Sequence, residues 1–160
     1  MYRIAKLLTL LILVVQAMTA AAGDYFPPEY KDFPFKEGDL LASRLSDGKF
    51  AVNKILKIDR VVVKKGEAIN IQGKSFVAPV DDYLLIVSAS YGESEFDSLE
   101  QARSAALSGK WHVRMGHIPN RPPGAAEGQT HIGSAPVLDA ELDGYRTWKR
   151  AFEKGEAGVF

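Results

Sequence analysis

The chain has 160 residues, 20 basic and 20 acidic side chains, three histidines and no cysteine, so its formal charge is zero. A length of this order fits one domain, and a composition 46% hydrophobic and 25% charged belongs to a globular chain rather than a disordered one. The lack of cysteine excludes disulfides, thiolate-bound metals and thiol catalysis, and the balanced charge lacks the basic excess of nucleic-acid binders.

Residues 1–22 read as an export leader. Arg3 and Lys6 form a short positive start, Leu10-Leu11-Ile12-Leu13-Val14-Val15 the apolar heart, and Ala20-x-Ala22 a small-x-small cleavage signal. Cleavage is expected after Ala22 or a residue or two earlier. Removing 22 of the 160 residues, Arg3 and Lys6 among them, leaves 138 residues with a charge of −2. The expected location is the periplasm or the exterior, with no stable membrane insertion after cleavage. A spanning helix needs about 20 predominantly apolar residues, and Thr9, Gln16 and Thr19 interrupt a shorter run here.

Residues 23–38 form an arm rich in proline and aromatics. Pro27, Pro28 and Pro34 are incompatible with a helix interior or a central strand. Tyr25, Phe26, Tyr30, Phe33 and Phe35 are too many rings for a solvated linker, so the arm is expected to lie over the domain formed by residues 39–160. Its alternative use is partner binding, because interfaces are enriched in aromatics.

A β-rich block follows. Leu41, Ser43 and Leu45 alternate with polar neighbours up to the Asp47-Gly48 hairpin turn. The return strand, Lys49–Ile58, groups Phe50, Val52, Leu56 and Ile58 on one face and Asn53 and Lys57 on the other, and Lys54 breaks the pattern as an edge position would. Val61-Val62-Val63 runs into a charged turn. Ile69 and Ile71 mark a half-buried strand, and the apolar run from Tyr83 to Ala89 suits a strand covered on both faces.

Two helices complete the pattern. Asp97 or Ser98 caps the first, with Gln101 completing a capping box, Leu99, Ala102 and Ala106 as the apolar stripe, and Gly109 as the stop. Trp111, Val113 and Met115 then alternate with His112 and Arg114 as a strand with Trp111 buried. The last helix runs from about Ala140 to Lys154, with Leu142, Tyr145, Trp148 and Phe152 on one side and Gly155 ending it. Gly144 costs about 1 kcal/mol there relative to Ala, which points to close packing. The fold class is α+β: a strongly bent antiparallel sheet or small partly open barrel with two helices.

No phosphate-binding glycine loop, nucleophile elbow, paired-histidine helix or calcium loop is present, so no cofactor and no catalytic residue is assigned. The adjacent Asp81-Asp82 pair follows Pro79 at a strand start, where turn chemistry explains it better than a metal. Glu93, Glu95, Asp97 and Glu100 suit the N-terminus of the first helix; their alternative use is a docking surface for a basic partner.

The stretch that stands out is residues 116–137, with four prolines and four glycines. It reads as a long loop rather than helix or central strand, and long loops in compact domains are usually functional or disordered. His117, Arg121, Glu127 and His131 are its candidate binding residues. The competing chemistry is a small metal-binding protein or hydrolase built on His117, Glu127 and His131, with Ser134 or Ser90 as the nominal nucleophile.

Phe35-Lys-Glu-Gly38-Asp39-Leu-Leu-Ala followed by Asp47-Gly48-Lys-Phe50-Ala-Val-Asn-Lys-Ile-Leu56 resembles the first hairpin of some immunity proteins from bacterial toxin–immunity systems. That resemblance implies a small, non-enzymatic protein that binds a cognate toxin, here one acting in the periplasm. The expected function is therefore that of an exported, non-catalytic protein-binding domain, such as a periplasmic immunity protein or inhibitor.

Overall fold

The computed structural model describes residues 25–160, so the expected leader and cleavage site lie outside the described residues. Seven strands are present among the described residues: β1 (Asp39–Arg44), β2 (Phe50–Val63), β3 (Ala68–Ile71), β4 (Lys74–Val77), β5 (Asp82–Phe96), β6 (Val113–Asn120) and β7 (Gln129–Ser134). The α-helices are α1 (Leu99–Leu107), α2 (Pro122–Ala126) and α3 (Asp143–Glu153). Five strands form one antiparallel sheet in the order β6-β5-β2-β1-β7, and β3 and β4 form a separate hairpin. The fold is α+β, and its sheet stays open, with β6 at one edge and β7 at the other.

Local chemistry accounts for the turns. Asp47 Oδ1 accepts the Lys49 N–H at 3.0 Å within the β1–β2 turn. Gln72 and Gly73 both have positive φ (51° and 74°), as a two-residue mirror-type hairpin turn requires. Ser98 Oγ accepts the Gln101 N–H at 3.2 Å, while the Gln101 side chain turns back to the Asp97 N–H at 3.1 Å.

Both faces of the sheet are covered. Residues Leu40, Ala42 and Val52 meet Ala102 and Ala106 of α1 on one face. Further along that face, Val63, Leu84 and Ile86 meet Trp148 of α3, Phe26 of the arm, and Ile69 and Ile71 of the hairpin. The opposite face packs Leu41, Ile55, Val87 and Ala89 against Ala125 of α2 and the arm residues Phe33 and Phe35. The arm is thus part of the core, and it is held by charge as well: Phe26 N–H donates to Asp82 Oδ2 at 2.7 Å and Lys31 pairs with Asp82 at 2.8 Å.

Several expectations are corrected. β1 is buried on both faces from Asp39 to Ala42 rather than half-buried, because α1 covers the side of Leu40 and Ala42 while Ala125 of α2 and the arm residues Phe33 and Phe35 cover the side of Leu41. β2 runs through Val63, and bulges opposite β5 redistribute its faces, so that Phe50 and Val52 point towards α1 while Ile58 joins the opposite core. Lys54 is not at an edge; it sits 4% exposed in the middle strand of the sheet. Leu99 is 38% exposed, so α1 rests on its alanines. Trp111 precedes β6 and is half-buried against the α1 core, and Val113 and Met115 face solvent.

The 116–137 segment is not a loop. It holds most of β6, then α2, then β7, with Pro122 and Pro123 in the first turn of α2, where a missing N–H is harmless. Both strands are edges, which explains how Pro119 is accommodated.

Candidate functional site

The four candidate binding residues do not converge. His117 is on β6 and His131 on β7, separated by the four inter-strand spacings of the sheet, about 19 Å at the usual 4.8 Å each. Glu127 is exposed just past α2. Arg121 is structural: its backbone N–H and Nε donate to the Phe160 carbonyl at 2.7 and 3.3 Å, and its guanidinium bonds the Tyr30 hydroxyl of the arm. One metal site cannot draw on both histidines, and among the described residues no group of three or more His, Asp and Glu side chains is placed to hold a metal ion.

At the β1–β7 seam the nominal hydrolase residues do meet, wired for structure. Ser134 donates its hydroxyl to Asp39 Oδ1 at 2.8 Å, and the same oxygen lies 3.3 Å from His131 Nε2. Nucleophilic catalysis places the imidazole between serine and carboxylate, one ring nitrogen to each. Here the serine bonds the carboxylate directly, and the same Nε2 is the atom nearest Ser134, at 3.5 Å. Burial works against ionisation of Asp39, but the Lys36 N–H, Ser134 and His131 outweigh it and hold the carboxyl below its usual range. The cluster pins the start of β1 to β7.

A polar row crosses the helix-covered face between the two apolar cores. Lys54 of β2 places Nζ 2.7 Å from Glu141 Oε2, 2.9 Å from Oε1 and 2.8 Å from the Pro136 carbonyl. Glu141 also accepts the Leu138 N–H at 2.7 Å. Its site is fixed by a 3₁₀ turn over Asp139–Leu142 that leads into α3. Next along the row, Ser88 Oγ lies 2.9 Å from His117 Nε2, and the imidazole packs 5.5 Å from the Trp148 ring and 6.1 Å from Tyr145. Burial pushes the His117 pKa down to about 4 despite the opposing charge of Asp59. Tyr145 donates to Asp59 Oδ1 at 3.0 Å, and burial together with that carboxylate raises its pKa to about 12. Gly144 earns its place: a Cβ there would sit 2.7 Å from His117 Cβ.

Ser90 is the unfinished member of the row. It pairs across the ladder with Lys54, is 4% exposed, and its Oγ is buried without a hydrogen-bond partner. Beside it a cavity of about 360 Å³ opens between β6 and the start of α3. The row holds a neutral imidazole, a saturated ion pair and a free hydroxyl, which equips it for hydrogen bonding rather than for proton transfer between aligned groups. Sequence reasoning missed Glu141, Asp59 and Tyr145 as members; the interruption of an apolar strand by Lys54 was the one visible signal.

The Asp81-Asp82 pair does turn and arm chemistry. Asp81 accepts the Lys65 N–H at 2.8 Å and pairs with Lys64 at 3.0 Å, while Asp82 anchors the arm. Comparison with known protein families, curated proteins and solved structures returns no match.

Proposed function

We propose that the chain is an exported, non-catalytic domain that binds another protein, in the manner of a periplasmic immunity protein or inhibitor. The observation that carries this reading is the first half of β6. It is a sheet edge with no strand beyond it among the described residues, and it presents Val113 and Met115, 48% and 42% exposed. Exposed apolar side chains on an open edge are a hazard that folded proteins usually blunt, unless the edge is used. The leader supports export, and no helix among the described residues is long and apolar enough to cross a membrane. The separation of His117 from His131 and the Ser134–Asp39 wiring count against the metal and hydrolase alternatives.

The test is site-specific photo-cross-linking in native cells. A cross-linker at Met115 should give a discrete protein adduct in the soluble envelope fraction, and one at Thr130 on the opposite edge should not. Adducts from neither site, or equally from both, overturn the reading. Intact mass of the native protein checks export separately, with a mature N-terminus expected near Gly23.

A further inference from the structure

We infer that β4 is a docking edge for an extended segment of a protein partner, and that this segment presents an aromatic side chain and, two residues on, a carboxylate. This rests on the protein-binding reading and adds to the β6 edge a second contact with a stated sequence pattern.

The β3–β4 hairpin is joined to the main sheet, so β4 ends a longer run of strands. Val159 N–H donates to the Asn70 carbonyl at 3.0 Å, and the Val159 carbonyl accepts the Gln72 N–H at 2.7 Å. Phe160 then bonds the second half of β6: its N–H donates to the Pro119 carbonyl at 2.9 Å and its carbonyl accepts the Arg121 N–H at 2.7 Å. β3 thus has a neighbour on either side, whereas β4 pairs with β3 alone among the described residues. All four residues of β4 are exposed, Phe76 at 38% and Val77 at 59%. The two-residue turn makes Ile71 and Lys74 the hydrogen-bonded pair that closes the hairpin. The N–H groups of Lys74 and Phe76 therefore point at β3, and those of Ser75 and Val77 point outward. Ala78 keeps the alternation, donating back to the Glu67 carbonyl at 2.9 Å.

Strand addition takes its affinity from main-chain hydrogen bonds and its selectivity from pockets for alternate side chains. An antiparallel segment bonded to Ser75 sets its flanking residues opposite Phe76 and Lys74 as non-hydrogen-bonded pairs, where side chains approach most closely. Phe76 and Lys74 share one face of the strand, and both border a cavity of about 290 Å³. Tyr25, Phe26 and Tyr30 of the arm wall it on one side and Ile71 and Phe76 of the hairpin on the other, which suits an aromatic side chain. The charged residues of its lining are Lys74 and Arg121, both cations. Arg121 is taken up by the Tyr30 hydroxyl and the Phe160 carbonyl. Lys74 has no hydrogen bond or ion pair with any described residue, so its ammonium is the free charge of the site. A carboxylate directly across from it is the favourable cross-strand partner. A short edge strand that carries a lysine is blunted against indiscriminate pairing, and the same lysine selects an acidic segment.

The probe is a capped hexapeptide of threonine with phenylalanine second and glutamate fourth, added to the isotope-labelled protein and followed by amide chemical shifts. The amides of β4 and those of Phe26 and Tyr30 should move. Lysine for the glutamate, alanine for the phenylalanine, or N-methylation of the third residue should each weaken binding at least tenfold. Lys74→Glu should reverse the preference between the glutamate and lysine peptides with an unchanged melting temperature. Absence of binding, shifts confined to another surface such as Val113–His117, equal binding of the glutamate and lysine peptides, or a preference unmoved by Lys74→Glu each overturn the site. A native adduct at Met115 combined with any of those results leaves protein binding standing and removes this site; peptide binding as expected without the native adduct does the reverse.

Discussion

Replacing Glu141 by glutamine strips Lys54 of its counter-charge while keeping the side chain's shape. The Lys54 side chain is 5% exposed and that of Glu141 28%, so the ammonium stays buried with the Pro136 carbonyl as its remaining acceptor beside a neutral amide. Breaking a buried pair from one side costs about 3–5 kcal/mol, and the partial exposure of Glu141 puts this case at about 2–4 kcal/mol. Lys54→Met removes the buried charge, leaves Glu141 partly hydrated and deprives the Pro136 carbonyl of a donor, for about 1–2 kcal/mol. The double variant Lys54→Met/Glu141→Gln should therefore be more stable than Glu141→Gln alone. Urea unfolding of the four proteins, fitted with a shared slope, measures the coupling directly. A Glu141→Gln cost below about 1 kcal/mol, or single effects that add without coupling, would refute the buried-pair argument.

Three further expectations follow from the same face of the sheet. Because the folded-state pKa of His117 lies at about 4, below the ordinary value of 6.5, the unfolded chain takes up its proton first; stability is fully present above about pH 6.5 and falls as the pH drops towards 4. With the ring half-buried, solvent screening reduces the loss to about 1–2 kcal/mol, and His117→Gln should flatten that part of a urea-midpoint profile; an identical slope in both proteins would contradict the assignment. Trp148, 8% exposed, stacked on Phe152 at 4.9 Å and bonded through Nε1 to the Gly158 carbonyl at 2.9 Å, should cost about 3–5 kcal/mol when cut to alanine, and an unchanged melt would show α3 to be peripheral. Since His117 and His131 sit on opposite edges of the sheet, a chelator or added zinc should leave the melting temperature unchanged, and a stabilising stoichiometric metal would restore the metal-binding alternative.

The features legible in the sequence are those set by neighbours along the chain. The Asp47-Gly48 turn, the Ser98 and Gln101 cap, the alanine stripe of α1 and the Tyr145–Trp148–Phe152 side of α3 each depend on residues within a few positions, where backbone geometry and periodicity act directly. The same local logic kept residues 116–137 out of a central strand, yet read as one long loop what are two edge strands and a helix that Pro122 and Pro123 open. The extension of β5 to Phe96 was hidden because residues 91–96 are mostly polar and gain their strand from pairing with β2 and β6.

What only the tertiary structure decided is which distant groups meet. Lys54 reads as an edge residue until Glu141, 87 positions on, supplies the carboxylate that makes burial tolerable in a central strand. Histidines 14 residues apart in sequence are held on opposite edges because β7 returns to pair with β1 across the sheet. Ser90 reads in the sequence as no more than a nominal nucleophile, and only the ladder that sets it opposite Lys54 leaves its hydroxyl buried without a hydrogen-bond partner. Local periodicity carries the elements because capping, turns and amphipathic spacing are short-range; strand order and the partnering of buried charges are settled by long-range packing, which no window along the chain contains.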